Sequence, residues 1–165
     1  MKRILLLALL IMLPPTAFSS ISEEGGGIFY GRDHAFSFQA PPGWVLDNES
    51  GVGQGLHAVF YKAGHAWRDA TAIAYARAAT KDEVIQDIPS LVQFNVDRFH
   101  ENGSPNYKAR FIKEIQTSDG KRTAHIFFFH GDSWGNYEAA GYVKETKTIN
   151  FIILSSRTEA AFEES

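Results

Sequence analysis

Two of the six histidines lie in the stretch GLHAVFYKAGHAW, and an aromatic residue follows each of them closely. Histidine is the side chain that most often acts as a general base near neutral pH. A hydrolase would use the imidazole of His57 or His65, with Asp69 as the acid that orients it. We keep this enzyme as the alternative hypothesis for the function of the chain.

The spacing of the histidines does not favour a metal site. Histidine ligands on one element usually stand two apart on a strand, or three or four apart on a helix. His57 and His65 are eight apart, and His125 and His130 are five apart. The chain has no cysteine, which excludes thiolate ligands and thiol nucleophiles.

We therefore predict no metal, no other cofactor and no catalytic residue, although a metal site built from distant segments remains an alternative. In this interpretation His57 is buried in a strand, and His65 lies in a loop at the solvent.

The three tryptophans are the stronger candidates for function. Each follows a predicted strand, in a loop that contains glycine and polar residues. Such loops often bind ligands, and an indole ring offers a large apolar area with one N–H donor. We predict that the indoles gather on one binding surface; the alternative is that they cap the core. The predicted ligand-binding residues are Trp44, His65, Trp67, Trp134 and Asn136.

The first twenty residues, MKRILLLALLIMLPPTAFSS, have the organisation of a secretory signal peptide. Two basic residues precede a short apolar run, two prolines end it, and small residues at 17 and 19 suit cleavage after Ser19. The run is shorter than the ~20 residues that span a bilayer, so an uncleaved anchor is the less favoured alternative. We predict a signal peptide at 1–19 and a secreted or periplasmic protein without a stable membrane anchor.

The mature chain is one acidic domain. Loss of residues 1–19 leaves 146 of the 165 residues, with 14 basic and 19 acidic side chains and a net charge of −5. Nucleic acid is therefore not an expected partner, whereas a small molecule or a protein is. A domain of this length buries a full core, so it needs no disulfide.

Strand patterns dominate the sequence after a segment at 20–33 that is predicted to be flexible, with residues 28–30 able to dock. Alternation of apolar and polar residues predicts a strand at 34–40. The segments 56–61 and 70–78 are apolar on both faces, which is typical of central strands. Further strands are predicted at 107–117, 122–130, 137–145 and 149–155.

One long helix is predicted over 80–102. Thr80 and Glu83 have the spacing of a capping box, and Gly103 suits the end of the helix. Pro89 predicts either a kink or a short turn that precedes the main helix.

A second capping box, Ser156 and Glu159, predicts a helix at 157–165. A helix that short is marginal, so we expect the native chain to continue past Ser165.

These elements predict a single α+β domain over 34–165, with an antiparallel sheet of about six or seven strands between helices. The stretch FSFQAPPGW, residues 36–44, resembles the opening of PsbP-like and DcrB-like domains. In those domains an antiparallel sheet is sandwiched between helices, and one helix follows the third strand. The resemblance covers 34–165 and implies an accessory or binding protein with no shared catalytic residues.

The chain also resembles a set of uncharacterised bacterial exported proteins of that type. The matching residues are 43–48, 55–61, 135–142 and 154–157, and in that set the last helix runs on. DcrB-like members are often lipid-anchored, but this chain lacks the required cysteine. The sequence thus predicts a secreted or periplasmic, non-enzymatic binding or accessory module; the alternative is an exported hydrolase using His57 or His65 with Asp69.

Overall fold

The structure is a computed structural model that describes residues 25–165, so the predicted signal peptide lies outside the described residues. Within this part the chain forms nine strands and two α-helices, with a short 3₁₀ turn at Val52–Gln54. In chain order they are β1 (Gly26–Tyr30), β2 (Ala35–Gln39), β3 (Trp44–Asp47), β4 (Val59–Lys62), β5 (Ala72–Thr80), α1 (Ile88–Glu101), β6 (Lys108–Gln116), β7 (Thr123–His130), β8 (Tyr137–Lys144), β9 (Thr148–Ser156) and α2 (Glu159–Glu163).

Seven of the strands form one antiparallel sheet in the order β3-β4-β5-β9-β8-β7-β6. The longest pairing joins β5 to β9, from Ala72 opposite Ser156 to Thr80 opposite Thr148. Among the described strands, β1 and β2 pair with each other and not with the large sheet. The predicted α+β class and the antiparallel sheet are therefore confirmed.

The sheet is covered differently on its two faces. On the first, the helix face, Leu91 and Val92 of α1 pack in one cluster with Tyr142 and Ile149. The second, the hairpin face, carries the β1–β2 hairpin and α2. Phe38 of the hairpin contacts Phe60, with 5.0 Å between ring centroids, and Phe162 of α2 lies 5.4 Å from Phe128.

The long helix begins eight residues later than predicted, because Asp87 and not Thr80 caps it. The Asp87 carboxylate accepts the N–H of Ser90 at 2.9 Å, and the Ser90 hydroxyl accepts the N–H of Asp87 at 3.0 Å. Pro89 lies in the first turn, where its missing N–H leaves no hydrogen bond unmade. The predicted capping box of Thr80 and Glu83 is thus wrong, since β5 continues to Thr80.

The C-terminal helix is also capped by a different residue. The side chain of Thr158 accepts the N–H of Ala161 at 3.2 Å. Ser156 is instead the last residue of β9, and its hydroxyl donates to the Thr71 carbonyl at 2.9 Å.

Part of the segment predicted to be flexible forms strand β1. Phe29 packs against His34 at 5.2 Å and against Phe36 at 5.5 Å between ring centroids. These contacts account for the pairing of β1 with β2. Over residues 25–165 the structure contains no helix that is both long and apolar enough to cross a membrane.

Candidate ligand-binding site

A cavity of about 610 Å³ lies between α1 and the helix face of the sheet. The first turns of α1 bury Ile88 and Leu91 against the sheet. The later turns present Asn95, Arg98 and Asn102 to the cavity, at helical spacings of three and four that place them on one face. This volume is within the range of small-molecule sites.

Three strands form the floor of the cavity. Because alternate residues of a strand point to the same face, each strand contributes side chains two positions apart. They are Tyr75 and Arg77 from β5, Glu138, Ala140 and Tyr142 from β8, and Phe151 and Ile153 from β9.

Glu138 is a partly buried carboxyl on the floor of the cavity. Its side chain accepts a hydrogen bond from the Tyr107 hydroxyl at 3.1 Å. Burial raises the pKa of Glu138 above its usual value and the charge of Asp132 adds to this rise, while hydrogen bonds from Ser155 and Tyr107 oppose it. Within residues 25–165, Glu138 forms no ion pair.

The tyrosines around Glu138 remain neutral hydrogen-bond donors. Burial is the first cause of the raised pKa of Tyr75, Tyr107 and Tyr142, and the negative charge of Glu138 also contributes to each. All three hydroxyl groups therefore stay protonated at physiological pH. A carboxyl surrounded by protonated phenols is a polar centre within a largely aromatic lining.

Stacked rings position one wall of the cavity. Tyr107 stacks on Phe99 of α1, with centroids 3.9 Å apart and planes inclined by 13°, and on Phe129 at 5.8 Å. Trp134 contacts Phe99 edge to face at 6.3 Å. The stack ties the end of α1 to β7 and to the loop that precedes β8.

That loop is held by Asp132, which is buried. Its carboxylate accepts the N–H of Trp134 at 3.1 Å, the N–H of Asn136 at 2.8 Å and the side-chain amide of Asn136 at 2.7 Å. The Ser133 N–H donates to the Ser104 hydroxyl at 2.9 Å. These bonds fix Trp134 at the rim of the cavity.

Two arginines provide positive charge to the same cavity. Arg77 and Arg98 are both exposed and both line it. The Arg77 guanidinium lies 5.8 Å from the centroid of Tyr75, and that of Arg98 lies 5.7 Å from the centroid of Phe94. In the described part of the chain neither takes part in a salt bridge, so both are free to bind an anionic group.

The predicted tryptophan surface is not formed. Trp44 is only 5% exposed and packs in one cluster with Phe60 on the hairpin face. Trp67 packs on the helix face against a cluster formed by Leu56, Val59 and Tyr61. Trp134 is 69% exposed at the cavity rim. All three lie at one end of the sheet, but four strand spacings of ~4.8 Å separate β3 from β8.

Of the predicted ligand-binding residues, the structure places Trp134 alone on the lining of this cavity. Asn136 lies in the same loop, but its side-chain amide is bonded to Asp132. Ligand binding by Trp44, His65 and Trp67 stays a prediction.

The prediction that His57 is buried is wrong. The pairing of β4 with β3 and β5 begins at Val59, and His57 precedes it in an exposed position between buried Leu56 and Ala58. The segment that predicted the strand thus begins three residues before the pairing itself.

His65 lies in an exposed loop, with its Nδ1 3.8 Å from Oδ1 of Asp69. The same carboxylate oxygen accepts the N–H of Ala66 at 2.7 Å, which closes the loop. A hydrolase needs a base, an acid and a cleft together, and neither histidine lines the cavity. Residues 25–165 also contain no group of three potential metal-binding side chains; the absence of a bound metal stays a prediction.

A second groove, of about 680 Å³, lies on the hairpin face between β2 and the sheet. It is the more apolar of the two, and Ile152 and Leu154 form part of its floor. Its arginine, Arg122, is already paired with Glu145 and Asp119. The helix-face cavity is therefore the better candidate, because its charged groups form no ion pair with any residue in 25–165.

Sequence reasoning missed Glu138, Tyr75 and Tyr107. Two signals were present in the sequence. The first is Arg77, a charged residue in the segment 70–78, which is otherwise apolar on both faces. A strand that is covered on both faces does not normally carry a charge. A second signal was the polar row of Asn95, Arg98 and Asn102 beside the apolar row of the helix.

Solved structures provide the comparison with known proteins, since no protein-family model matches the chain and no curated protein is similar to it in sequence. The solution structure of cyanobacterial PsbP (CyanoP) from Synechocystis sp. PCC 6803 has a TM-score of 0.51 at 11% identity, over 88% of this chain and 87% of that chain. A mutant of the protein Mog1 has a TM-score of 0.43 at 16% identity, over 85% and 82%. The first likeness supports the PsbP-like fold, and it shows the fold alone.

Proposed function

We propose that this protein is an exported, non-enzymatic binding module and that its small-molecule ligand occupies the helix-face cavity. The observation that carries the proposal is Glu138, a carboxyl that lines a cavity of about 610 Å³ and forms no ion pair among the described residues. A partly buried carboxylate that no cation neutralises is costly to a protein even when it is hydrogen-bonded, so its presence in a cavity favours a role in binding.

The decisive experiment blocks the cavity from its helical wall. Asn95→Trp fills it, and Gln93→Trp places the same side chain on the exposed surface of the same helix as a control. Thermal unfolding is followed with a library of small amines, carboxylates, sugars and nucleosides. A ligand that binds only the folded state raises the unfolding midpoint.

We expect at least one compound to stabilise the native protein and Gln93→Trp, but not Asn95→Trp. Equal stabilisation of both variants would place the ligand elsewhere. A library without any hit, together with no co-purifying molecule in native mass spectrometry, would contradict the proposal.

Export is tested separately. The basic start, the apolar run and the small residues near Ser19 support cleavage by a signal peptidase. N-terminal sequencing of the protein recovered from its native cell should begin at Ser20. A mature protein that retains Met1 would refute export by cleavage.

A further inference from the structure

One part of the cavity, around Glu138, has a negative character. Glu138 lines the cavity without an ion pair in the described part of the chain. A carboxylate in a poorly hydrated site is stabilised by a cation that enters with the ligand. The first requirement on the ligand is therefore a positive charge.

The surrounding rings suit one kind of cation. Tyr75, Tyr142 and Trp134 line the cavity together with the Phe99–Tyr107–Phe129 stack. Aromatic rings attract quaternary ammonium groups, which have no N–H to donate and are held by rings and a nearby carboxylate. One ring already binds a cation, because the Arg77 guanidinium lies over Tyr75. The second requirement is thus a methylated ammonium group.

The arginines add a third requirement. Arg77 and Arg98 line the same cavity as Glu138 and would repel a plain cation. A ligand with a carboxylate at its other end would instead be bound by these guanidinium groups, whose fork matches a carboxylate.

The register shows how far apart the two charges of the ligand should lie. Glu138 pairs with Ser155, and on the other side of β9 Ser155 pairs with Ile73, four residues before Arg77. Two strand spacings and four residues along the strand separate the Cα atoms of Glu138 and Arg77 by roughly 16 Å. Both side chains line the same cavity on one face of the sheet, so a short ligand can lie between their charged ends.

We propose, on the basis of the function proposed above, that the ligand is a small betaine: a methylated ammonium group at Glu138 joined by a short carbon chain to a carboxylate at Arg77 and Arg98.

The test uses three probes of one shape in isothermal titration calorimetry. The zwitterion is γ-butyrobetaine, the anion is 5,5-dimethylhexanoate, in which carbon replaces the ammonium nitrogen, and the cation is butyltrimethylammonium. We expect γ-butyrobetaine to bind, the cation to bind about tenfold more weakly, and the anion to bind about 100-fold more weakly or not at all. Equal or tighter binding of the anion would overturn the proposal.

Variants assign the two ends of the ligand. Glu138→Gln should weaken the binding of γ-butyrobetaine and of the cation by about tenfold or more, since it keeps the shape but removes the charge. Arg77→Gln should weaken the zwitterion and leave the cation unchanged or slightly tighter. Arg110→Gln, whose guanidinium lies over Phe128 on the hairpin face, is the control.

Melting midpoints without ligand establish that each variant is folded. Unchanged binding to Glu138→Gln, or no binding of any ammonium probe to the native protein, would overturn the betaine assignment. If another class of compound binds and Asn95→Trp abolishes that binding, the proposed function stands while the betaine assignment fails.

Discussion

At the scale of single residues, the proposed binding role of Glu138 reduces the stability of the folded protein. Burial raises its pKa in the folded protein, so the ionised form is disfavoured there relative to the unfolded chain. Below the unfolded pKa the group is protonated in both states and has no effect on stability. As pH rises through the window between the unfolded and the raised folded pKa, the folded state loses stability.

We therefore expect Glu138→Gln to raise the thermal unfolding midpoint by a few degrees near neutral pH. The gain should disappear below about pH 4, where the carboxyl is protonated in both states. Differential scanning calorimetry at both pH values measures the effect, and Glu49→Gln in an exposed turn is the control. A gain of the same size at low pH would show that the charge is not its cause.

Gly131 lies in the loop that carries Trp134 to the rim of the cavity. It has a φ of +87°, and a Cβ at this position would clash with the carbonyl oxygen of Asn106. Gly135, in the same loop, has a φ of +77° with nothing within 4 Å of a Cβ. Gly135→Ala should reduce the free energy of unfolding by about 1 kcal/mol, the cost of a left-handed backbone.

Gly131→Ala adds the clash to that cost and should lose about 3 kcal/mol. Urea unfolding of the two variants measures the difference. Equal losses would mean that the loop relaxes away from Asn106.

At the scale of elements, the start of α1 separates the structure from the sequence pattern. The Asp87 carboxylate satisfies an N–H in the first turn of the helix, so Asp87→Ala should reduce the free energy of unfolding by about 1 kcal/mol. Glu83→Ala, which removes the residue that the sequence pattern assigned to a capping box, should change it by less than about 0.5 kcal/mol. Chemical denaturation compares them, and a larger loss for Glu83→Ala would contradict the observed cap.

The elements themselves were predictable because their patterns are local. Alternation gave β2, and helical spacing of apolar residues gave α1. Boundaries were harder: Thr80 and Asp87 both suit a helix start, and the tertiary pairing of Thr80 with Thr148 decides between them. Segments that are apolar on both faces gave no sign of where pairing begins, and His57 was therefore misplaced.

The site could not be predicted in the same way because it is assembled from residues far apart in sequence. Tyr75 and Glu138 are brought to one cavity because β9 lies between β5 and β8. No local pattern in the sequence indicates that strand order. The tryptophans were predicted to bind a ligand because of their residue type, whereas position in the sheet decides which of them borders the cavity.

At the scale of the whole molecule, the strands of the seven-stranded sheet are better secured by pairing than the two strands of the β1–β2 hairpin. Within the seven-stranded sheet, every strand except the edge strands β3 and β6 is paired on both sides. The β1–β2 hairpin is a separate unit whose residues alternate between exposed and partly buried. Its described contacts with the sheet include Phe38 on Phe60 and the ion pair of Asp33 with Lys147 at 2.9 Å.

The hairpin should accordingly open without unfolding of the sheet. Local openings that expose little apolar surface require less free energy than global unfolding. In native-state hydrogen exchange we expect the amides that pair β1 with β2 to exchange at least about tenfold faster than the central amides of β5 and β9.

Phe38→Ala should increase the exchange rate of the hairpin further and leave the central strands of the sheet much less affected, because it removes the ring that contacts Phe60. Ser37→Ala, on the exposed side of the same strand, is the control. If the hairpin amides were protected as strongly as those of β9, the hairpin and the sheet would form one cooperative unit. The hairpin-face groove would then be a fixed part of the fold, and this account of local opening would be wrong.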